Sequence, residues 1–200
     1  MPSQEKSNLV NRRHYEAEMI GEDLPKGLER LYKRVTVIDL LRRADIKVIV
    51  AGENDMVTFS RGVKIIPDVL LSEISEYETF GAIVLPGGGQ GVDNFLENDH
   101  LLEIVKYNIE NKNLICAICA APLFLTQNKL IDETVKITSF PDVRSELNHN
   151  NYSEESVVVS GNFITSRGAG TAIDFALKII ETMTDKETAN SIAEEIVYKY

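Results

Sequence analysis

The feature that most constrains this chain is a set of three short apolar runs, each stopping at glycines or other small residues. They read IKVIVAG (Ile46–Gly52), AIVLPGGG (Ala82–Gly89) and LICAICAAP (Leu114–Pro122). Successive strand side chains point to opposite faces, so a run that is apolar at every position must be covered on both sides. That is the signature of buried parallel strands. Between the runs the period changes. VTVIDLLRRA places Val37, Leu40, Leu41 and Ala44 at helical spacing, and a second amphipathic helix is expected around Leu101–Ile109.

The remainder fits the same alternation. VTFS, VKII and VKITS (Val135–Ser139) read as short strands. VVVSGNFITSR (Val157–Arg167) is two β-branched runs flanking Gly161-Asn162, a hairpin signal. Two capping boxes follow: Thr171 with Asp174, and Thr184 with Glu187, each opening a helix. The expected fold is a single-domain, doubly wound α/β sandwich of the flavodoxin-like kind, a mostly parallel sheet flanked by helices. Residues 35–200 carry it. Residues 1–34 are polar and charge-mixed, and read as a divergent, poorly structured leader.

Composition narrows the function classes. Lys+Arg 21 against Asp+Glu 31 gives a net charge of -10, which argues against nucleic-acid binding. No apolar run is long enough for a membrane span, and the first residues lack the apolar core of a secretory signal. Two cysteines three apart do not make a disulfide scaffold, so a reducing, cytoplasmic setting is expected. Neither a metal nor a cofactor is implied. His14, His100 and His149 are scattered in polar surroundings and read as surface residues.

Ligands of open parallel sheets bind outside the carboxyl ends of the strands. Two such ends are unusual here, LPGGGQG (Leu85–Gly91) and ICAAP (Ile118–Pro122). Pro122 suits the first turn of a helix, and Ala120 and Ala121 leave the preceding side chain unshielded. Cys119 is therefore expected on a sharp strand-to-helix turn, the mechanics of a nucleophile elbow with sulfur as the reactive atom. The N–H groups of the following helix favour its thiolate. Cys116 sits inside the strand and reads as a small core residue. A redox Cys-x-x-Cys pair is the alternative.

These blocks, in order, resemble the ThiJ/PfpI family of the class I glutamine-amidotransferase-like superfamily, and within it the Parkinson-disease-associated deglycase branch. RVTVIDLLRRADIKVIVAG resembles the family's first helix and second strand, AIVLPGGGQG its glycine turn and ICAICAAP its elbow. TSFP resembles the strand end facing the cysteine, and ITSRGAGTAIDFALKIIE the loop and helix closing the site. The resemblance runs from about Val35 to the C-terminus. It implies Cys119 as nucleophile and oxidisable thiol, with the backbone N–H groups of Gly88 and Ala120 as an oxyanion pocket. It places Phe140, Ser166, Arg167 and Gly168 in the site wall, and Asp39 and Arg61 across a homodimer interface. The implied substrates are small dicarbonyls or glycated groups. The alternative is a non-enzymatic oxidative-stress sensor or chaperone-like homodimer that uses oxidation of the same cysteine. Protease-like branches carry His after the cysteine, where Ala120 stands here. One departure is marked. The family's Gly-x-Glu-Glu-x-Glu, whose last glutamate is the general acid/base, corresponds to Gly27–Tyr32 here. Only Glu29 is retained, and Tyr32, or Lys33 on a one-residue shift, takes the place of the catalytic carboxylate.

Overall fold

The structure is a computed structural model that describes residues 16–21, 28–58 and 63–199. Among the described residues nine strands are present: β1 Glu16–Gly21, β2 Lys47–Gly52, β3 Val57–Thr58, β4 Lys64–Ile65, β5 Val69–Leu70, β6 Ala82–Leu85, β7 Leu114–Ile118, β8 Val157–Ser160 and β9 Phe163–Ser166. Six helices accompany them: α1 Leu28–Arg43, α2 Gly89–Glu97, α3 Asp99–Glu110, α4 Pro122–Gln127, α5 Ala172–Met183 and α6 Lys186–Glu195. Seven strands form one sheet in the order β5-β2-β1-β6-β7-β9-β8. Every neighbouring pair in it is parallel except β8 and β9, the expected hairpin, which turns at Gly161 with φ +60°. β3 and β4 form a separate antiparallel ribbon.

The all-apolar runs divide between two cores by strict alternation. On β6, Ala82 and Val84 face one layer, while Ile83 and Leu85 face the other. On β7, Cys116 and Ile118 go with the first, Ile115 and Ala117 with the second. The first layer is completed by α1, α5 and α6 through Leu40, Leu41, Phe175, Ile179 and Ile192. The second is completed by α2, α3 and α4 through Phe95, Leu101, Ile104 and Phe124. Burying each such side chain contributes about 1.5–3 kcal/mol, and that is what makes a two-sided parallel sheet affordable.

Several expectations are corrected. The segment expected as a leader contributes β1, which lies between β2 and β6 in register Met19↔Val50 and Met19↔Val84. EAEMIG carries two glutamates and lacks the apolar continuity of a central strand. Position decides instead: without β1, the backbone edges of β2 and β6 would be unpaired. Likewise α1 begins at Leu28, ahead of the expected start at Val35. VKITS is not a strand; it makes a single bridge, Ile137 with Tyr152. α2 was not anticipated. At Thr171 the side chain makes no cap bond, although this residue does precede α5. Thr184 ends α5, its Oγ1 donating to Ile180 O at 2.7 Å. The cap of α6 is Asp185, which accepts from Thr188 N–H at 2.8 Å and is thereby held below the usual carboxylate range. His149 is half-buried as a residue, but its side chain is only 4% exposed, with Nε2 at 2.7 Å from Val135 O. His14 lies outside the described residues.

Candidate active site around Cys119

β7 ends at Ile118, and the chain turns through Cys119, Ala120 and Ala121 into α4. Pro122 occupies the first helical position, where its missing N–H costs nothing. Cys119 has φ +69°. Six non-glycine residues with positive φ occur among the described residues; five are exposed, and Cys119 alone is buried, at 7% exposure. A left-handed backbone at an L-residue costs about 1–2 kcal/mol, so the surroundings must hold it there. Two hydrogen bonds do so. Cys119 N–H donates to Ser166 O at 2.8 Å, and Cys119 O accepts from Phe140 N–H at 2.8 Å.

The glycine turn after β6 closes on the elbow from the other side. A Cβ at Gly87 would lie 2.3 Å from Ile118 O, 2.6 Å from Ala120 N and 2.7 Å from Cys119 Cβ. These are mainly backbone atoms, so only glycine fits. Gly88 has φ +142° and ψ +130° and precedes α2. Gly88 and Ala120 are buried, and neither N–H donates a hydrogen bond among the described residues. Buried backbone N–H groups are nearly always paired, so a donor without a partner among the described residues, next to a cysteine, is of the kind that suits an anionic oxygen. α4 has only six residues. The polar support at the elbow therefore comes from individual N–H groups rather than from a long aligned helix.

The wall residues fall as follows. Phe140 is half-buried and packs on the core layer that holds Cys119. A Cβ at Gly168 would lie 3.5 Å from the Phe140 ring, so Gly168 keeps the space beside that ring open. Ser166 is fully buried, and its Oγ is committed to Ser156 O at 2.9 Å and to Thr171 Oγ1 at 2.6 Å. Arg167 Nη1 donates to Glu154 O at 2.8 Å. Asp39 is exposed on α1 and pairs with Arg43 at 2.9 Å, which also bridges Glu195; the two carboxylates raise the Arg43 guanidinium further. Arg61 lies outside the described residues. Glu29, Tyr32 and Lys33 have helical backbone in the first turns of α1, and their side chains lie outside the described residues.

Cys116 is fully buried between Val84 and Ile164, and burial pushes its thiol well above the ordinary range. The contribution of Gly87 was not read from sequence; its signal was the run of three glycines, which singles out no one position. A polar cleft of about 450 Å³ lies elsewhere, lined by Glu53, Asn54, Leu71, Ser72, Asn98 and His100. It sits at the end of β2, which β1 and β6 separate from β7. His100 there is already bonded to Leu71 O, Ile74 O and Glu76.

Fold and site together define a doubly wound α/β protein with a cysteine on a strained strand-to-helix elbow. The chain belongs to the DJ-1/PfpI family, which matches residues 30–182. It is 39% identical over 182 residues to protein dj-1beta of Drosophila melanogaster, covering 88% of this chain and 95% of that protein. It is 34% identical over 175 residues to the glutathione-independent glyoxalase DJR-1.2 of Caenorhabditis elegans, covering 86% and 91%. The crystal structure of Drosophila melanogaster DJ-1beta superposes with a TM-score of 0.85 at 35% identity, covering 93% of this chain and 99% of that one. Among the described residues no helix is long and apolar enough to cross a membrane.

Proposed function

We propose that this chain is a cofactor-independent, glyoxalase-like enzyme that converts small reactive dicarbonyls, or the glycated groups they form, through Cys119. The observation that carries this reading is the buried left-handed backbone at Cys119, next to Ala120 and against the Gly87–Gly88 turn, where the N–H groups of Gly88 and Ala120 have no partner among the described residues. A C. elegans relative bearing the glyoxalase name supports it. The Cys119 thiolate adds to the aldehyde carbon, and the carbonyl electron pair moves onto oxygen, where the two N–H groups hold it. A base then moves the proton of that carbon to the neighbouring carbonyl carbon. The first carbon rises to the acyl level as the second falls to an alcohol, leaving a 2-hydroxy thioester. Water cleaves the thioester and returns the thiol. Methylglyoxal plus one water gives lactate, with no oxidant consumed. The small exposure of Cys119 and the Phe140 wall favour small substrates with an apolar end.

The base is the open part of this mechanism, and Glu29 is the only carboxylate left in the family motif. The test is lactate formation from methylglyoxal. Cys119→Ala should lower the rate on the order of 10³-fold or more. Glu29→Gln separates two cases. A fall of about 10²–10⁴-fold assigns the base to Glu29, and an unchanged rate assigns it elsewhere. A wild-type chain inert towards methylglyoxal would overturn the enzyme reading. The departure at Tyr32 then favours the second reading, an oxidation-responsive thiol, which needs no proton shuttle.

The same reading includes a homodimer in a reducing, cytoplasmic setting. Val35, 45% exposed, and Asp39 stand one helical turn apart on α1, and Met56 and Ile66 are exposed beside β3 and β4. Exposed apolar residues suit an isologous contact. Light scattering at micromolar concentration that reports a single 22.4 kDa chain would count against it.

A further inference from the structure

The two groups that hold the strained elbow come from distant parts of the chain. Phe140, which donates to Cys119 O, leads into the 3₁₀ turn Pro141–Glu146. Ser166, which accepts from Cys119 N–H, ends β9. The sheet holds Ser166 opposite Ile118 and Val157, whereas Phe140 stands outside it. Both are tied to one short segment, Tyr152–Ser156, which runs over the surface just before β8.

On the Phe140 side, Tyr152 bridges Ile137, and Ser153 N–H donates to Ile137 O at 2.8 Å. Tyr152 Oη donates to Ser139 O at 3.2 Å, the carbonyl immediately before Phe140 N–H. The Arg144 guanidinium lies 4.4 Å from the centre of the Tyr152 ring and reaches Glu154 Oε1 at 3.3 Å. On the Ser166 side, Ser166 Oγ and Arg167 N–H both donate to Ser156 O, at 2.9 and 3.3 Å. Arg167 Nη1 donates to Glu154 O at 2.8 Å. Glu154 thus meets one loop with its side chain and the other with its carbonyl. Within the segment, the Glu155 carboxylate ties Ser153 Oγ to Lys136 Nζ at 2.9 and 2.7 Å.

We propose that Tyr152–Ser156 is a positioning strap that sets the Cys119 elbow from both sides, with Tyr152 and Glu154 as its positioning residues. The catalytic consequence rests on the reading of Cys119 as the nucleophile; the mechanical claim does not. A left-handed cysteine relaxes unless both flanking hydrogen bonds persist. Phe140 and Ser166 are both tied to the strap, so loosening either end of it loosens both bonds.

The experiment is amide hydrogen exchange, read by NMR on the full chain carrying Tyr152→Phe and, separately, Arg144→Gln. Tyr152→Phe keeps the ring and removes only the bond to Ser139 O. Arg144 is exposed and contacts the strap without touching Cys119, so its variant retains the fold. The reporters are the N–H groups of Phe140, Cys119 and Arg167, with the N–H of buried Ile115, bonded to Asn162 O in the β8–β9 turn, as the control. In both variants the three reporters should exchange about three- to tenfold faster, the effect of one lost hydrogen bond, with Ile115 unchanged. Arg167 N–H is decisive, because it bonds the strap and not the elbow. Acceleration of Phe140 alone, with Cys119 and Arg167 exchanging as in the wild type, would overturn the strap. If the chain turns over methylglyoxal, both variants should lower kcat about three- to tenfold with KM held. If it does not, the exchange result still decides the strap, and only the function reading fails.

Discussion

Cys116 and Cys119 leave the same strand three residues apart and meet opposite environments. Cys116 keeps extended backbone, pairs with Val84 on one side and Ile164 on the other, and is fully buried. Burial raises its thiol well above the ordinary range, which favours the protonated form. Cys119 lies one residue beyond the regular ladder. It takes a left-handed backbone between Ser166 and Phe140, with Gly87 pressed against it. Both belong to the same apolar layer. Proximity and hydrophobicity therefore do not separate them. Backbone conformation does: an elbow turns a side chain towards N–H donors, and a strand turns it into the core.

The sharpest way to break this difference is Gly87→Ala. The added methyl would meet Ile118 O at 2.3 Å and Ala120 N at 2.6 Å, and neither atom belongs to a side chain that can swing away. Overpacking of this kind costs about 1–3 kcal/mol. Denaturant unfolding should show a midpoint lowered accordingly, with Cys119 reactivity altered and Cys116 still silent. A variant as stable as the wild type would mean that the glycine turn does not hold the elbow.

Next in size is the contrast in reactivity. In a short exposure of the native chain to iodoacetamide, Cys119 should be labelled at least about tenfold faster than Cys116. Denaturant should bring the two rates together, because both then sit in the same solvent. Mass spectrometry assigns the labels. Preferential native labelling of Cys116 would overturn the elbow assignment.

How far this arrangement could be read from sequence differs by region. β2, β6 and β7 were legible because each run is apolar almost throughout, Lys47 at the exposed start of β2 being the exception, as a doubly covered strand requires. The elbow was legible because Ala-Ala-Pro after a cysteine is a local pattern. β1 was not, because EAEMIG shows no such continuity, and its assignment follows from the empty place between β2 and β6. VKITS has strand composition, yet Ile137 finds only one bridging partner, Tyr152. The capping rule matched Thr184, while the true cap is its neighbour Asp185; both suit the role by type, and only the backbone bond to Thr188 separates them. α2 was hidden by Gly89 and Gly91, which are poor helix formers. The clamp on Cys119 left no local trace, since it is made by backbone groups of Phe140 and Ser166 from distant parts of the chain. Family resemblance named both residues as site wall, and did so without indicating that their main-chain atoms hold the cysteine.

The smallest effect tests the other half of the comparison, the claim that Cys116 stays protonated. In the unfolded chain its thiol ionises at an ordinary value, about 8.5. In the folded chain burial raises that value well above the ordinary range. Between the two values the folded state binds the proton and the unfolded state has released it. Stability must therefore be independent of this group below about pH 8.5 and fall as pH rises above it. The loss should be on the order of 1 kcal/mol over the first unit. Tyrosines and lysines titrate nearby, so the informative quantity is a difference between proteins. Urea unfolding at about pH 7.5 and about pH 9.5 should show a smaller decline for Cys116→Ala than for the wild type, after the constant cost of the small cavity is removed. Cys119→Ala should keep the full Cys116 decline. If Cys116→Ala loses stability with pH as steeply as the wild type, Cys116 is not held as a thiol by its burial, and the two cysteines are less different than their backbones imply.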